Sequence, residues 1–182
     1  MARTEVRMSG SGGQGVIMGT IILAEAAFED GKQVAQCQSY GPEARGGSSK
    51  AETIISDTKI HYTKVKYPDL LLSLTQLSFD KYVQDIKDDT IIVVDSSIEV
   101  PEEIRNAYKV YSLPILDGAA EVIKNKMSAN IISCGVINEI LHVADWEAVE
   151  HAVLNHVPKG TQESNLNALH YGAKMAREYG EN

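Results

Sequence analysis

The stretch Glu5-Val6-Arg7-Met8-Ser9-Gly10-Ser11-Gly12-Gly13-Gln14-Gly15-Val16-Ile17-Met18-Gly19-Thr20-Ile21-Ile22-Leu23-Ala24-Glu25-Ala26-Ala27 decides the fold class. A short strand (Glu5 to Ser9) runs into a glycine-rich turn, and the turn opens a helix whose Ile17, Ile21, Leu23, Ala24 and Ala27 suit packing on a sheet. Gly31 is placed to end that helix, and residues 32–37 read as a second strand. Residues 38–47 form a loop whose three glycines and one proline forbid regular structure. Leu70-Leu71-Leu72-Ser73-Leu74 and Thr90-Ile91-Ile92-Val93-Val94-Asp95 are continuous apolar runs, the pattern of strands buried on both faces of a parallel sheet. Residues 76–86 supply the crossover helix between them, and residues 109–113 a further strand stopped by Pro114. Residues 49–56 read as an exposed edge strand, turned at Asp57-Thr58 into a hairpin with residues 59–62.

From Asp117 onward the pattern is helical, over residues 118–125, 129–143, 146–156 and 162–179. Asp145 is placed to cap the third of these, and the last carries Leu166, Leu169, Ala173 and Ala176 on one stripe. The expected architecture is α/β: three layers, a mostly parallel sheet flanked by helices, with a β-hairpin and a helical C-terminal third. The length of 182 residues suits a single domain spanning 1–182.

Composition narrows the function. Hydrophobic residues at 43% and charged residues at 23% are ordinary for a globular chain, and the net charge of −8 argues against nucleic acid or an anionic membrane as partner. The absence of a long apolar run or a signal-like start gives the expectation of a cytoplasmic protein. Cys37 and Cys134 stand far apart, and the five histidines show no metal-ligand spacing. Neither an iron–sulfur cluster nor a structural zinc site can be assembled from this chain alone. Cys37 reads as a small residue buried at a strand end, and the three lysines of residues 59–66 as a solvated hairpin.

Gly10, Ser11, Gly12, Gly13, Gln14 and Gly15 satisfy G-x-G-x-x-G between a strand and a helix, where backbone N–H groups can cradle a phosphate; a tight turn without a ligand explains the same pattern. An acidic residue for a ribose is missing: the second strand ends in Gln36, Cys37 and Gln38, which argues against NAD, and no Gly-Lys-Ser/Thr supports ATP hydrolysis. The second loop would reach the same sheet edge, where Arg45 and Lys50 offer cations to a phosphate or carboxylate, or to a partner protein. No nucleophile elbow or catalytic carboxylate pair is present, so the chain carries no catalytic constellation of its own. A stand-alone nucleotide-binding or small-molecule-sensing domain is the alternative on these features.

The glycine turn with its small apolar helix, then Gln38-Ser39-Tyr40-Gly41-Pro42-Glu43-Ala44-Arg45-Gly46-Gly47, then Pro68-Asp69 before a Leu-rich strand, resemble the gamma subunit of 2-oxoacid:ferredoxin oxidoreductases. Ala129-Asn130 opening an apolar helix with Gly135, and Asn165 through Ala168-Leu169 to Gly172, extend the resemblance over nearly the whole chain. Pyruvate-type gamma chains tend to carry Phe-Gly-x-Glu-Arg-Arg-Gly in the second loop. The version here is more similar to the 2-oxoglutarate or branched-chain 2-oxoacid type, and residues 50–57 favour 2-oxoglutarate; indolepyruvate oxidoreductase subunits share the first loop. The resemblance implies a heteromeric complex in which partner subunits hold thiamine diphosphate, magnesium and iron–sulfur clusters, decarboxylate the 2-oxoacid, reduce ferredoxin and transfer the acyl group to coenzyme A. It implies that this chain holds none of the redox cofactors, and that coenzyme A can contact its glycine loop. Purified alone, the chain is expected to be colourless and iron-free by visible absorption and metal analysis, because two distant cysteines cannot supply four cluster ligands. Stoichiometric iron with visible charge-transfer bands would contradict this.

Overall fold

The computed structural model describes residues 3–39 and 47–180. Six strands form one sheet in the order β2-β3-β1-β4-β5-β6: β1 (Arg3–Ser11), β2 (Gln33–Ser39), β3 (Ser48–Ser56), β4 (Leu70–Ser73), β5 (Ile91–Asp95) and β6 (Val110–Leu113). β1, β4, β5 and β6 pair in parallel, whereas β3 is antiparallel to both β1 and β2. It follows that β2 runs in the direction of β1 and that β3 alone is reversed. The mostly parallel sheet flanked by helices is as expected from the sequence.

The hairpin lies elsewhere than expected. It is formed by β2 and β3, with Cys37 opposite Glu52 and Ser39 opposite Lys50. Residues 57–69 carry no strand or helix. β3 is an interior strand, and Ala51 through Ser56 are buried. Its polar residues read as exposed in the sequence because their partners are distant. Glu52 accepts from the buried Arg7 guanidinium at 2.7 Å, and the Thr53 hydroxyl donates to the Thr20 carbonyl at 2.9 Å.

Residues alternate between two cores along the strands. Val6, Met8, Leu70, Leu72 and Val93 face the larger core with α1 (Val16–Glu29), α5 (Ala129–Leu141), α6 (Trp146–His156) and α7 (Gln162–Gly180). Ile92 and Val94 face a smaller one with Phe79 of α2 (Gln76–Tyr82), while Ile104 of α3 (Glu102–Ala107) packs at its rim. A short helical turn, α4 (Ile115–Asp117), runs into a π-type turn over Gly118–Val122 in place of the single helix expected there. The six-residue α3, which buries none of its residues, was not foreseen.

Local chemistry explains the helix ends. Gly31 at φ 79° closes α1, its N–H donating to Phe28 O at 2.9 Å while Lys32 N–H donates to Ala27 O at 3.0 Å, the paired bonds of a Schellman motif. Thr75 caps α2 by accepting from the Ser78 N–H. Asp145 precedes α6 but does not cap it with its carboxylate; its own N–H donates to Asp30 Oδ2 at 2.6 Å, tying α6 to the end of α1.

α5 and α7 cross at two glycines. A methyl on Gly135 would come within 1.9 Å of Leu169 O, and one on Gly172 within 2.0 Å of Ile132 O. Those contacts are to backbone, which cannot rotate aside. Gly135→Ala and Gly172→Ala are each expected to destabilise the protein by about 3 kcal/mol or more. For a chain of this size that lowers the melting temperature by roughly 6–12 °C, measurable by calorimetry, and an unchanged melting temperature would show that the helices can part without cost.

Candidate functional site: the glycine loop at the switch of the sheet

β1 connects through α1 towards β2, whereas the neighbouring β4 connects through α2 to β5 on the other side. The crevice between the carboxyl ends of β1 and β4 is therefore a topological switch point, where open α/β sheets bind ligands. Gly10 to Gly15 sit there. Leu74 N–H donates to Ser9 O at 3.0 Å, and the buried hydroxyls of Ser9 and Ser73 meet at 2.9 Å, closing the crevice floor. The Leu74 side chain would lie 3.3 Å from a methyl on Gly10.

Gly12 and Gly13 are exposed, and Gly13 (φ 90°) and Gly15 (φ 72°) adopt the left-handed conformation that side chains disfavour. Gln14 organises the turn from within: its Oε1 accepts from Ser11 N–H at 2.8 Å, and its own N–H donates to Ser11 O at 3.3 Å. No side chain caps α1 at Gly15, so the first-turn N–H groups, which have no intrahelical acceptor, keep their donor capacity at the mouth.

The site has one wall that sequence reasoning did not place in it. Asn130 of α5 is 7% exposed, and its Nδ2 lies 2.7 Å from where a methyl on Gly15 would be. Ser128, the residue preceding α5, is buried, and its hydroxyl has no hydrogen-bond partner among the described residues. Two helix starts thus meet behind the loop. The signal in sequence was Ala129-Asn130 itself, which carries family resemblance but not proximity to a glycine more than 100 positions away.

β2 ends at the same sheet edge as β1, as the parallel direction requires: Ser39 faces Lys50 and Ser11 faces Ser48 across β3. Gln38 and Ser39, expected in the second loop, extend β2 instead through pairing with Ala51 and Lys50, and residues 40–46, with Arg45, lie outside the described residues. Gln36, midway along β2, donates to the Thr20 hydroxyl at 3.1 Å, and among the described residues the strand ends in Cys37, Gln38 and Ser39, none of them an acid that could hold a dinucleotide ribose. Cys37 is half-buried rather than buried, its thiol against Thr63 O. Burial pushes the Cys134 thiol up to about 12, which makes it inert. Among the described residues no cluster of His, Cys, Asp or Glu could hold a metal ion, and no helix is long and apolar enough to cross a membrane.

Residues 5–175 match the family model of pyruvate ferredoxin/flavodoxin oxidoreductase. The chain belongs to this family. It is 42% identical over 178 residues to the 2-oxoglutarate synthase subunit KorC of Methanocaldococcus jannaschii, covering 97% of this chain and 95% of that protein. It superposes on the gamma subunit of a keto/oxoacid ferredoxin oxidoreductase from Geobacter sulfurreducens with a TM-score of 0.85 at 40% identity, over 96% of this chain and 99% of that one. The fold recurs in 2-oxoglutarate:ferredoxin oxidoreductase from Magnetococcus marinus, where 98% of this chain matches 32% of the longer one with a TM-score of 0.87 at 20% identity.

The loop geometry separates two kinds of glycine within the family's first motif. A methyl on Gly13 meets nothing within 4 Å, so Gly13→Ala is expected to cost only the left-handed backbone term of about 1–2 kcal/mol. Gly15→Ala adds the clash with Asn130 and is expected to cost more. Asn130→Ala should rescue part of Gly15→Ala and none of Gly13→Ala in a double-mutant cycle of melting temperatures. Equal effects in both backgrounds would separate Asn130 from the loop.

Proposed function

We propose that this chain is the gamma subunit of a 2-oxoglutarate:ferredoxin oxidoreductase and that its glycine loop, together with Arg45, receives the phosphates of coenzyme A. The observation that carries the subunit reading is the end-to-end similarity to a 2-oxoglutarate synthase subunit, with the same domain recurring as a separate gamma subunit. The complex oxidatively decarboxylates the 2-oxoacid, passes electrons to ferredoxin and forms the acyl-CoA. Thiamine diphosphate, magnesium and iron–sulfur clusters belong to the partner subunits. The donor set here suits that division: two cysteines, one half-buried and one fully buried, are too few for the four ligands of a cluster. The complex works in the cytoplasm.

What this chain contributes at the crevice is binding. Unpaired N–H groups at the start of α1 favour a phosphate, the exposed Gly12 and Gly13 leave room for its close approach, and the missing ribose acid selects against NAD. Each charge-assisted contact contributes about 1.5–3 kcal/mol when partly desolvated. In the assembled enzyme, Arg45→Ala and Gly13→Ala are expected to raise the KM for coenzyme A by roughly 10-fold to 150-fold while leaving that for the 2-oxoacid in place. Steady-state kinetics with each substrate varied separately, over 2-oxoglutarate, branched-chain 2-oxoacids, pyruvate and indolepyruvate, checks both parts. Unchanged dependence on coenzyme A in both variants overturns the phosphate subsite, and preference for another 2-oxoacid overturns the substrate.

A further inference from the structure

The segment 57–69 has neither helix nor strand, yet its main chain is fastened to the body at point after point. Arg3 donates to Tyr62 O at 3.1 Å, Cys37 approaches Thr63 O at 3.1 Å, and the buried Arg7 guanidinium reaches Val65 O at 3.3 Å. Val65 itself is buried, and Asp69 Oδ2 accepts from Glu5 N–H at 2.6 Å. A solvated connection has no use for a buried guanidinium. This one is a strap pinned through its main chain, with Tyr62, Lys64, Lys66 and Tyr67 exposed on its outer side.

Those side chains form a cationic pocket of about 320 Å³ at the amino-terminal edge of β1 and β4. Four cations line it (Arg3, Lys64, Lys66 and Lys87) against two carboxylates, Glu5 and Asp69. Arg3 is paired with Glu5 and Lys87 with Asp69, so both carboxylates are engaged. Among the described residues neither Lys64 nor Lys66 has a carboxylate partner; the Lys66 ammonium lies 4.9 Å from the Tyr67 ring centre. Tyr62 and Tyr67, 63% and 44% exposed, offer wide apolar faces with a polar tip, as interface tyrosines do. On a chain of net charge −8, this is a local surplus of positive charge that the fold holds rigid.

We infer that the strap is a docking site for a carboxylate-rich segment of a second subunit of the complex, which rests on the subunit reading above. Charge complementarity names the occupant, since two unmatched ammonium groups on a fixed wall attract carboxylates and repel further cations. Shape favours a polypeptide over a small molecule: the tyrosine rings stand open to solvent, whereas small ligands are buried over most of their surface. Fixing the strap beforehand removes the entropy that docking on a loose loop would lose. The site lies at the opposite end of β1 from the glycine loop, about 26 Å away along the strand, so a subunit seated there leaves the crevice open.

Acetylation footprinting of the purified complex and of the full-length chain alone tests this. In the complex, Lys64 and Lys66 are expected to react at least about tenfold more slowly than in the free chain, while the exposed Lys159 reacts alike in both. K64E/K66E is expected to weaken association with the partner subunits more than about tenfold and to flatten its dependence on salt, with K64R/K66R retaining wild-type association and all variants melting as the wild type. Zero-length carbodiimide cross-linking should join these lysines to Asp or Glu of a partner subunit. Equal reactivity of Lys64 and Lys66 in free and assembled forms, or an effect of K64E/K66E no greater than that of K159E, overturns the proposal. So does protection in the isolated chain by inorganic phosphate or coenzyme A, which would make the pocket a small-anion site. An active complex with unprotected lysines overturns this inference alone, whereas a chain that neither assembles nor supports 2-oxoacid oxidation overturns the subunit reading with it.

Discussion

The crossing of α5 over α7 at Gly135 and Gly172 is the constraint on which the rest depends. With no Cβ at either position, each helix backbone fits directly against the other, and the carbonyls of Leu169 and Ile132 lie where methyl groups would otherwise stand. That close approach holds α5 down on α1 and the sheet, filling the larger core with Ile132, Val136 and Leu169. Asn130, five residues before Gly135 on the same helix, lies against Gly15, so the helix that makes the crossing also walls the glycine loop.

The opposite face of β1 solves a different problem. Arg7 is 1% exposed, and an unpaired guanidinium in that position would be prohibitive. Glu52 pairs with it, the same carboxylate also accepting from Lys50, while the carbonyls of Asp85 and Val65 accept from its two terminal nitrogens and the Tyr82 ring centre lies 5.9 Å away. Replacing such a group by a well-packed apolar one is often neutral for stability, so stability alone does not account for it. What the arginine accomplishes geometrically is to hold two irregular segments, the strap and the connection after α2, onto one strand.

Most of the architecture was legible because the signals were local. The apolar runs of β4 and β5, the glycines that open and close α1, and the length of α6 follow from residue patterns a few positions long. The position of β3 was not legible, since its Glu52 and Thr53 are buried through partners at Arg7 and Thr20, and periodicity reads any polar residue as exposed. The same limit applies to the crevice. The glycine loop announces itself, but Asn130 enters only through the helix crossing, and the pinning of the strap is done by Arg3 and Arg7 from a strand some sixty residues earlier.

β1 therefore joins two surfaces of different chemistry. Its carboxyl end runs into the glycine turn at the start of α1, where no side chain caps the first-turn N–H groups. Its amino end anchors a strap carrying uncompensated lysines and tyrosines. On the proposed reading, this chain contributes by holding a co-substrate at one edge and a neighbouring subunit at the other, because fixing reactants in a set orientation removes part of the entropic barrier. Nine residues of nearly inextensible β-structure, buried from Thr4 to Gly10 apart from Glu5, supply that rigidity more directly than any loop could.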